Sequence, residues 1–442
     1  MIRFEEALPE LVRICEGAPG FADVKRACAV RDLRGRVRLV LDGRDAANLD
    51  LPSLQTSLES EIGHYFQGPI WRSDDGSPDE RRLGQRLLEV GQAWQPIYRD
   101  PRTGENVSAP SDRWRKVERR LSKQAWLREA GEPTRPPWPL VRAVPAIVTF
   151  YSFKGGVGRT TALISCAWQL AEKGKSVVVV DLDLEAPGLA SLLGAGLQRG
   201  VVDFLMDHIA ADRAVLDGMA SPASELGEAQ RRVSVLPAGE LNLPYLEKLA
   251  RLDFNEDVPW EPKSEVRAQQ GLKSLLKQIR AELKPEYIFL DARAGLHDVA
   301  GLSLHGLSHV DVLLSRASEQ GFQGLDLMLQ VLSNPKFRCV VAHAFAPAQR
   351  ESEPDKAERA MFRQRVYESF RQYIYDKHYE DAEIPSEDAE DQPHSPVVLH
   401  QEEALRSISS VAAVKDFLFS SDYQRLCAKI QELCEPEPED EG

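Results

Sequence analysis

At 442 residues and 49.4 kDa the chain exceeds what one hydrophobic core usually serves, so two domains are expected. Apolar residues at 43% and charged ones at 28% make an ordinary globular mixture, which excludes collagenous, mucin-like and wholly disordered chains. The net charge of −14 argues against a protein coated in nucleic acid, yet it is uneven: residues 1–140 balance at +1, 141–350 at −2 and 351–442 at −13.

The start, Met1 to Glu6, has no basic region before an apolar stretch, so no secretory signal is read there. No apolar run approaches the ~20 residues that span a bilayer, and a soluble, cytoplasmic protein is expected. Amphipathic patterns predict helices at roughly 4–16, 52–65 and 79–94. Asp23–Leu33 and Arg36–Asp42, separated by Arg34 and Gly35, predict a hairpin with glycine in its turn. The stretches 72–79 and 99–112 read as loops. Asp112 to Lys123 is the most basic stretch and predicts an amphipathic helix, with Asp112 as N-cap and Trp114, Val117 and Leu121 on one face. Arginine and lysine beside an aromatic can contact nucleic acid, although a solvated helix face explains the same pattern. Trp71, Trp94, Trp114, Trp126 and Trp138 are five of the seven tryptophans, which suits a core and a partner surface. A smaller α+β domain is therefore expected over 1–130, and the proline-dense 131–145 reads as a semi-rigid linker.

Beyond the linker the texture changes. Apolar, β-branched runs at Ala146–Tyr151, Val177–Val180, Val233–Leu236, Glu286–Leu290, Val310–Leu314, Cys339–Val341 and Val397–Leu399 alternate with helix-period segments such as Thr161–Lys173 and Gly271–Leu283. Strands apolar on both sides imply burial on both faces of a parallel sheet, so 146–430 is expected to be an α/β, doubly wound domain. An acidic run, Glu380–Asp391, and an acidic tail over 431–442 are expected to be exposed. The six cysteines include no C-x-x-C pair and read as reduced, buried small residues.

Directly after the first of those strands stand Lys154, Gly155, Gly156, Val157, Gly158, Arg159, Thr160 and Thr161, followed by an Ala/Leu-rich helix. Strand, glycine-rich loop and helix are what a phosphate cradle requires: backbone N–H groups converge on an anion and the helix start adds partial positive charge. A hydroxyl at Thr160 can ligate Mg²⁺, and basic side chains neutralise phosphate oxygens. Downstream, Asp181-Leu182-Asp183-Leu184-Glu185 closes the second strand, and Tyr287-Ile288-Phe289-Leu290 delivers Asp291 to the carboxyl end of another. Ligands of open α/β sheets sit at those carboxyl ends.

The loop resembles the deviant Walker A motif, K-G-G-x-G-K-T, of the MinD/ParA family of P-loop ATPases, and the resemblance can be followed along most of 146–420. Asp181 to Glu185 is similar to that family's D-x-D switch segment, Gly200–Leu205 and Leu236–Gly239 to its next landmarks, and Tyr287–Asp291 to its Walker B strand. The resemblance implies ATP and Mg²⁺ as ligands, with Thr160, Asp181 and Asp291 around the metal. It implies that Lys154 reaches a partner subunit's phosphates in an ATP-dependent homodimer, and that Asp183 orients the attacking water.

Two departures stand out. Arg159 replaces the family's second lysine and is planar, larger and bidentate, so binding is expected to survive while turnover slows. Arg293 lies just past Asp291, and is read either as a contact to Asp183, a phosphate or a partner subunit, or as a structural ion pair with Asp298 or Glu185. The adenine preference is implied by the resemblance alone. His297, His305 and His309 tempt a metal reading, the last two at i, i+4 on an expected helix; without an intervening Glu in an H-E-x-x-H pattern, ordinary polar positions fit better. The −13 segment repels both anionic lipid and DNA, so membrane contact is not expected and nucleic acid would have to engage the N-terminal region. The resulting expectation is an ATP-binding switch in which slow hydrolysis controls an unidentified protein partner of the N-terminal domain. Its rivals are a non-hydrolysing nucleotide sensor and an ATPase-driven nucleic-acid module.

Overall fold

The computed structural model describes residues 2–110, 112–120, 122–127, 136–196, 199–211, 214–252, 267–334 and 337–435. They fall into two compact units, Met1–Ser122 and a second beginning at Lys123. The acidic tail beyond 435 and residues 131–135 of the expected linker lie outside the described residues.

In the first unit α1 (Ala7–Glu16), β1 (Ala27–Arg31), β2 (Val37–Leu41), α2 (Leu51–Ile62), β3 (Trp71–Arg72), α3 (Pro78–Val90), β4 (Gln92–Ala93), β5 (Ile97–Arg99), β6 (Asn106–Ser108) and β7 (Trp114–Glu118) follow in order. A mixed sheet runs β3-β2-β1-β7-β4, and β5 with β6 forms a separate hairpin that overlaps the 99–112 stretch expected to be loop. The β1–β2 hairpin turns at Gly35, whose φ of +82° suits glycine, and the Asp32 carboxylate accepts the Arg34 and Arg36 N–H groups at 2.8 and 2.9 Å. Ala27, Ala29, Leu39 and Leu41 point into a core under α1 and α2, whereas Cys28 and Val40 meet Leu87 and Leu88 of α3 on the opposite face.

The helix expected over Asp112–Lys123 is not formed. Trp114–Glu118 is β7, parallel to β1, with Trp114 opposite Ala27 and Val117 opposite Val30. Trp114 is fully buried between Phe21 and Trp94 at 5.8 and 6.2 Å, while Val117 faces α3. Apolar residues three apart suit a helix turn, but over five residues that spacing also serves a strand that buries residues on opposite faces.

The second unit comprises β8 (Ala146–Ser152), α4 (Arg159–Glu172), β9 (Val177–Leu182), α5 (Leu189–Leu192), α6 (Val201–Ala211), β10 (Ser221–Pro222), β11 (Val233–Leu236), α7 (Leu243–Leu249), α8 (Arg267–Glu282), β12 (Tyr287–Ala292), α9 (Asp298–Gly306), β13 (Val310–Ser315), α10 (Glu319–Val331), β14 (Cys339–Ala346), α11 (Glu353–Phe370), α12 (Asp376–His378), β15 (Val397–His400), α13 (Lys415–Leu418) and α14 (Ser421–Leu433). The sheet order is β10-β11-β9-β12-β8-β13-β14-β15, parallel except for the β10 edge. Alternate residues of β8 enter different cores. Val148 and Phe150 pack with α4 and α14, Ile147 with α6 and α8, and Tyr151 with α10 and α11. This is the doubly wound α/β domain that the apolar strands predict. Among the described residues no helix is long and apolar enough to cross a membrane.

Trp126 and Trp138 belong to this unit. The Trp126 indole donates to the His297 carbonyl at 2.8 Å, and the Trp138 indole to that of Pro145 at 2.8 Å.

Candidate nucleotide site

β8 ends at Ser152 and the chain loops through Lys154–Gly158 before α4 begins at Arg159. Gly156 and Gly158 have φ of +71° and +80°, and a Cβ at either would meet open space, so backbone conformation rather than crowding selects glycine here. Val157 turns inward and is buried, anchoring the loop. Lys154 is exposed and has no hydrogen-bond or ion-pair partner among the described residues.

Three acidic side chains reach this loop because parallel strands end in register. Asp291 on β12 is aligned with Asp181 on β9, and Asp183 follows one residue past β9. Arg159, at the first position of α4, spans two of them: Nε donates to Asp291 Oδ1 at 2.6 Å and Nη2 to Asp183 Oδ2 at 3.0 Å. Thr160 Oγ1 donates to Asp291 Oδ2 at 2.7 Å. The pairing continues outward. Arg293 joins Asp183 and Glu185, each at 3.0 Å, and His297 Nε2 lies 2.8 Å from Glu185. Of the contacts expected of Arg293, those to Asp183 and Glu185 are present, while Asp298 pairs instead with Lys123 at 3.3 Å.

Asp181 does different work. Its oxygens accept the backbone N–H groups of Asp183, Gly188 and Leu189, each at 3.1 Å, which ties the switch segment to the strand end. Burial, and then the charge of Asp291, push the Asp181 carboxyl up to about 7. Burial also raises Asp291, opposed by Arg159 and Thr160. Two buried carboxylates side by side cannot both carry full charge without a cation, and the Arg159 guanidinium supplies one. The oxygens of Thr160 and Asp291 form the hard donor set that Mg²⁺ takes, so the residues fit that ion.

Sequence reasoning missed Tyr245 of α7, whose hydroxyl donates to the Leu184 carbonyl at 2.5 Å and braces the switch segment from behind. Only its place after the Leu236–Gly239 landmark hinted at it. The histidines separate: His297 caps α9, while His309 lies beyond that helix, accepts the Ile147 N–H at Nδ1 (2.9 Å) and sits 2.8 Å from the Trp138 carbonyl. α9 ends at Gly306, so the helical i, i+4 pair expected of His305 and His309 does not form.

A parallel α/β sheet, a glycine loop opening a helix and aligned acidic strand ends define a P-loop nucleotide-binding domain. Residues 145–225 match a family model described as an AAA domain. The chain is similar to the septum site-determining protein MinD of Helicobacter pylori, 28% identical over 170 residues, covering 38% of this chain and 51% of that protein. The same protein of Escherichia coli K12 is 27% identical over 161 residues, covering 36% and 48%. The chain thus spans about half the length of the curated relatives it matches. Among solved structures, the cell division ATPase MinD of Pyrococcus furiosus aligns at 20% identity and a TM-score of 0.42, over 65% of this chain and 99% of that one. A plasmid partition protein of Borrelia burgdorferi bound to AMPPNP aligns at 16% and 0.43, over 65% and 99%. The sequence matches make the second unit similar to MinD over its phosphate loop and following elements.

Proposed function

We propose that the chain is a cytoplasmic ATP-binding switch. Its second unit binds ATP with Mg²⁺, pairs with a second copy through Lys154, hydrolyses ATP slowly, and so controls what the first unit binds. The observation that carries this reading is the ion-pair ladder Asp291–Arg159–Asp183–Arg293–Glu185, which joins the phosphate loop, the Walker B strand end and the switch segment. An incoming triphosphate competes for Arg159, and Asp183 and Asp291 are released when it turns. The loop N–H groups and Thr161 then hold the phosphates, with Thr160 and Asp291 turned toward the metal and Asp181 bracing the switch behind them. Bound Mg²⁺ would neutralise charge developing on the phosphate oxygens. Asp183, freed from Arg159, is positioned to orient a water.

Size-exclusion chromatography with light scattering tests the dimer. Wild type should shift to twice the monomer mass with ATP and Mg²⁺, and Lys154→Ala should not; a wild-type monomer under every condition sinks the claim. Phosphate release above an Asp183→Ala control tests turnover. The pairing of Arg159 with both carboxylates favours one alternative, a sensor that binds without hydrolysing. Measurable ATP affinity with no release above that control would select it.

A further inference from the structure

The sheet of the first unit packs one face against α1 and α2, whereas among the described residues α3 lies on the other and leaves part of it open. The open part is a cleft of about 620 Å³, within the ~300–1,000 Å³ typical of small-ligand sites. Strand register builds its floor: Val30 lies between Arg38 on β2 and Val117 on β7, with Val40 beside them. Trp71, opposite Val40 on β3, and Leu83 and Leu87 of α3 form the wall. Arg36, Arg38 and Arg119 supply positive charge against Asp32, which is occupied by Arg36 through Nε and Nη2 at 3.0 and 2.8 Å. Arg38 is half-buried and has no hydrogen-bond or ion-pair partner among the described residues.

A flat valine floor beside a half-exposed indole suits a planar apolar body, and a half-buried guanidinium without a counter-ion calls for an anion. We infer that this cleft is a second ligand site, separate from the phosphate loop, for a flat aromatic ring carrying phosphate, of mononucleotide size. The ring lies on Val30 and Val117 against Trp71, and the phosphate takes Arg38. The site stands whether or not the second unit hydrolyses ATP.

Isothermal titration of the full chain with GMP, in the presence of saturating Mg·ADP, tests this. One GMP per chain is expected, not displaced by more ADP. Arg38→Gln and Trp71→Ala should each weaken GMP at least ten-fold while ADP affinity stays within two-fold of wild type. Arg38 is only half-buried, so its variant remains informative should Trp71→Ala misfold. No GMP binding at millimolar concentration, or binding indifferent to Arg38→Gln, overturns the site. Inorganic phosphate binding as tightly as GMP overturns the ring assignment. A 15-nucleotide single strand binding far more tightly than GMP replaces it with a strand-binding groove.

Discussion

Exchanging Arg159 for alanine would leave buried Asp291 without its cation, while half-buried Asp183 keeps Arg293. Removing one partner of a buried pair costs about 3 kcal/mol, which urea denaturation without nucleotide should reveal. Arg159→Lys is expected to act differently. One ammonium cannot bridge two carboxylates as the fork does, so lysine is released to phosphate, and turnover should rise roughly ten-fold in a phosphate-release assay. Two other buried groups set how stability varies with pH. Burial, and then His400, hold His343 down at about 4, with its ring stacked on Phe362 at 4.1 Å. Its contribution is therefore present above the ordinary histidine value and lost as pH falls from about 6.5 toward 4. Burial pushes Asp311 up to about 8, so its contribution is present below the ordinary carboxylate value and lost as pH rises toward 8. Asp311→Asn should remove the fall in urea midpoint between about pH 4 and 8 when the midpoint is plotted against pH.

The elements whose character was legible are those whose burial leaves a mark on local composition. Val177–Leu182 is buried at every position, and a run of four valines announces it. Gly156 and Gly158 were legible because a phosphate loop needs their backbone. β7 was not, since what makes it a strand is β1, far away in sequence, and no local residue records that partner. The ladder was half legible: a contact of Arg293 with Asp183 or Glu185 was among the expected readings, but the Arg159 bridge from Asp291 to Asp183 shows only in the aligned strand ends. The turn at Gln124–Leu127 was hidden too, although it docks on α9. The Lys123 N–H donates to Asp298 at 2.5 Å, and the Trp126 ring fills the space beside Gly301, where a Cβ would lie 2.9 Å from the indole. α9 is capped by His297, the end of the ladder. ATP should therefore change hydrogen exchange in 298–306 and 123–127 together. In Trp126→Ala the first segment should still respond and the second should not, and parallel responses in both would refute the link.

At the scale of the whole molecule, two units with separate cores predict that a ligand of one does not stabilise both equally. Calorimetry with Mg·ATP should raise the transition of the second unit by several degrees and leave that of the first. If the dimer forms, the raised transition should climb further with protein concentration in wild type and not in Lys154→Ala.

The ladder has a consequence for how the protein is made. Many ligand sites gather like charge that only the ligand neutralises, and such domains stay loose until it arrives. Here the chain brings its own counter-ion, Arg159, to the carboxylates at the strand ends. A newly synthesised copy can complete the centre of its sheet with no nucleotide at hand, and on the proposed reading the first one it meets finds a finished site to open.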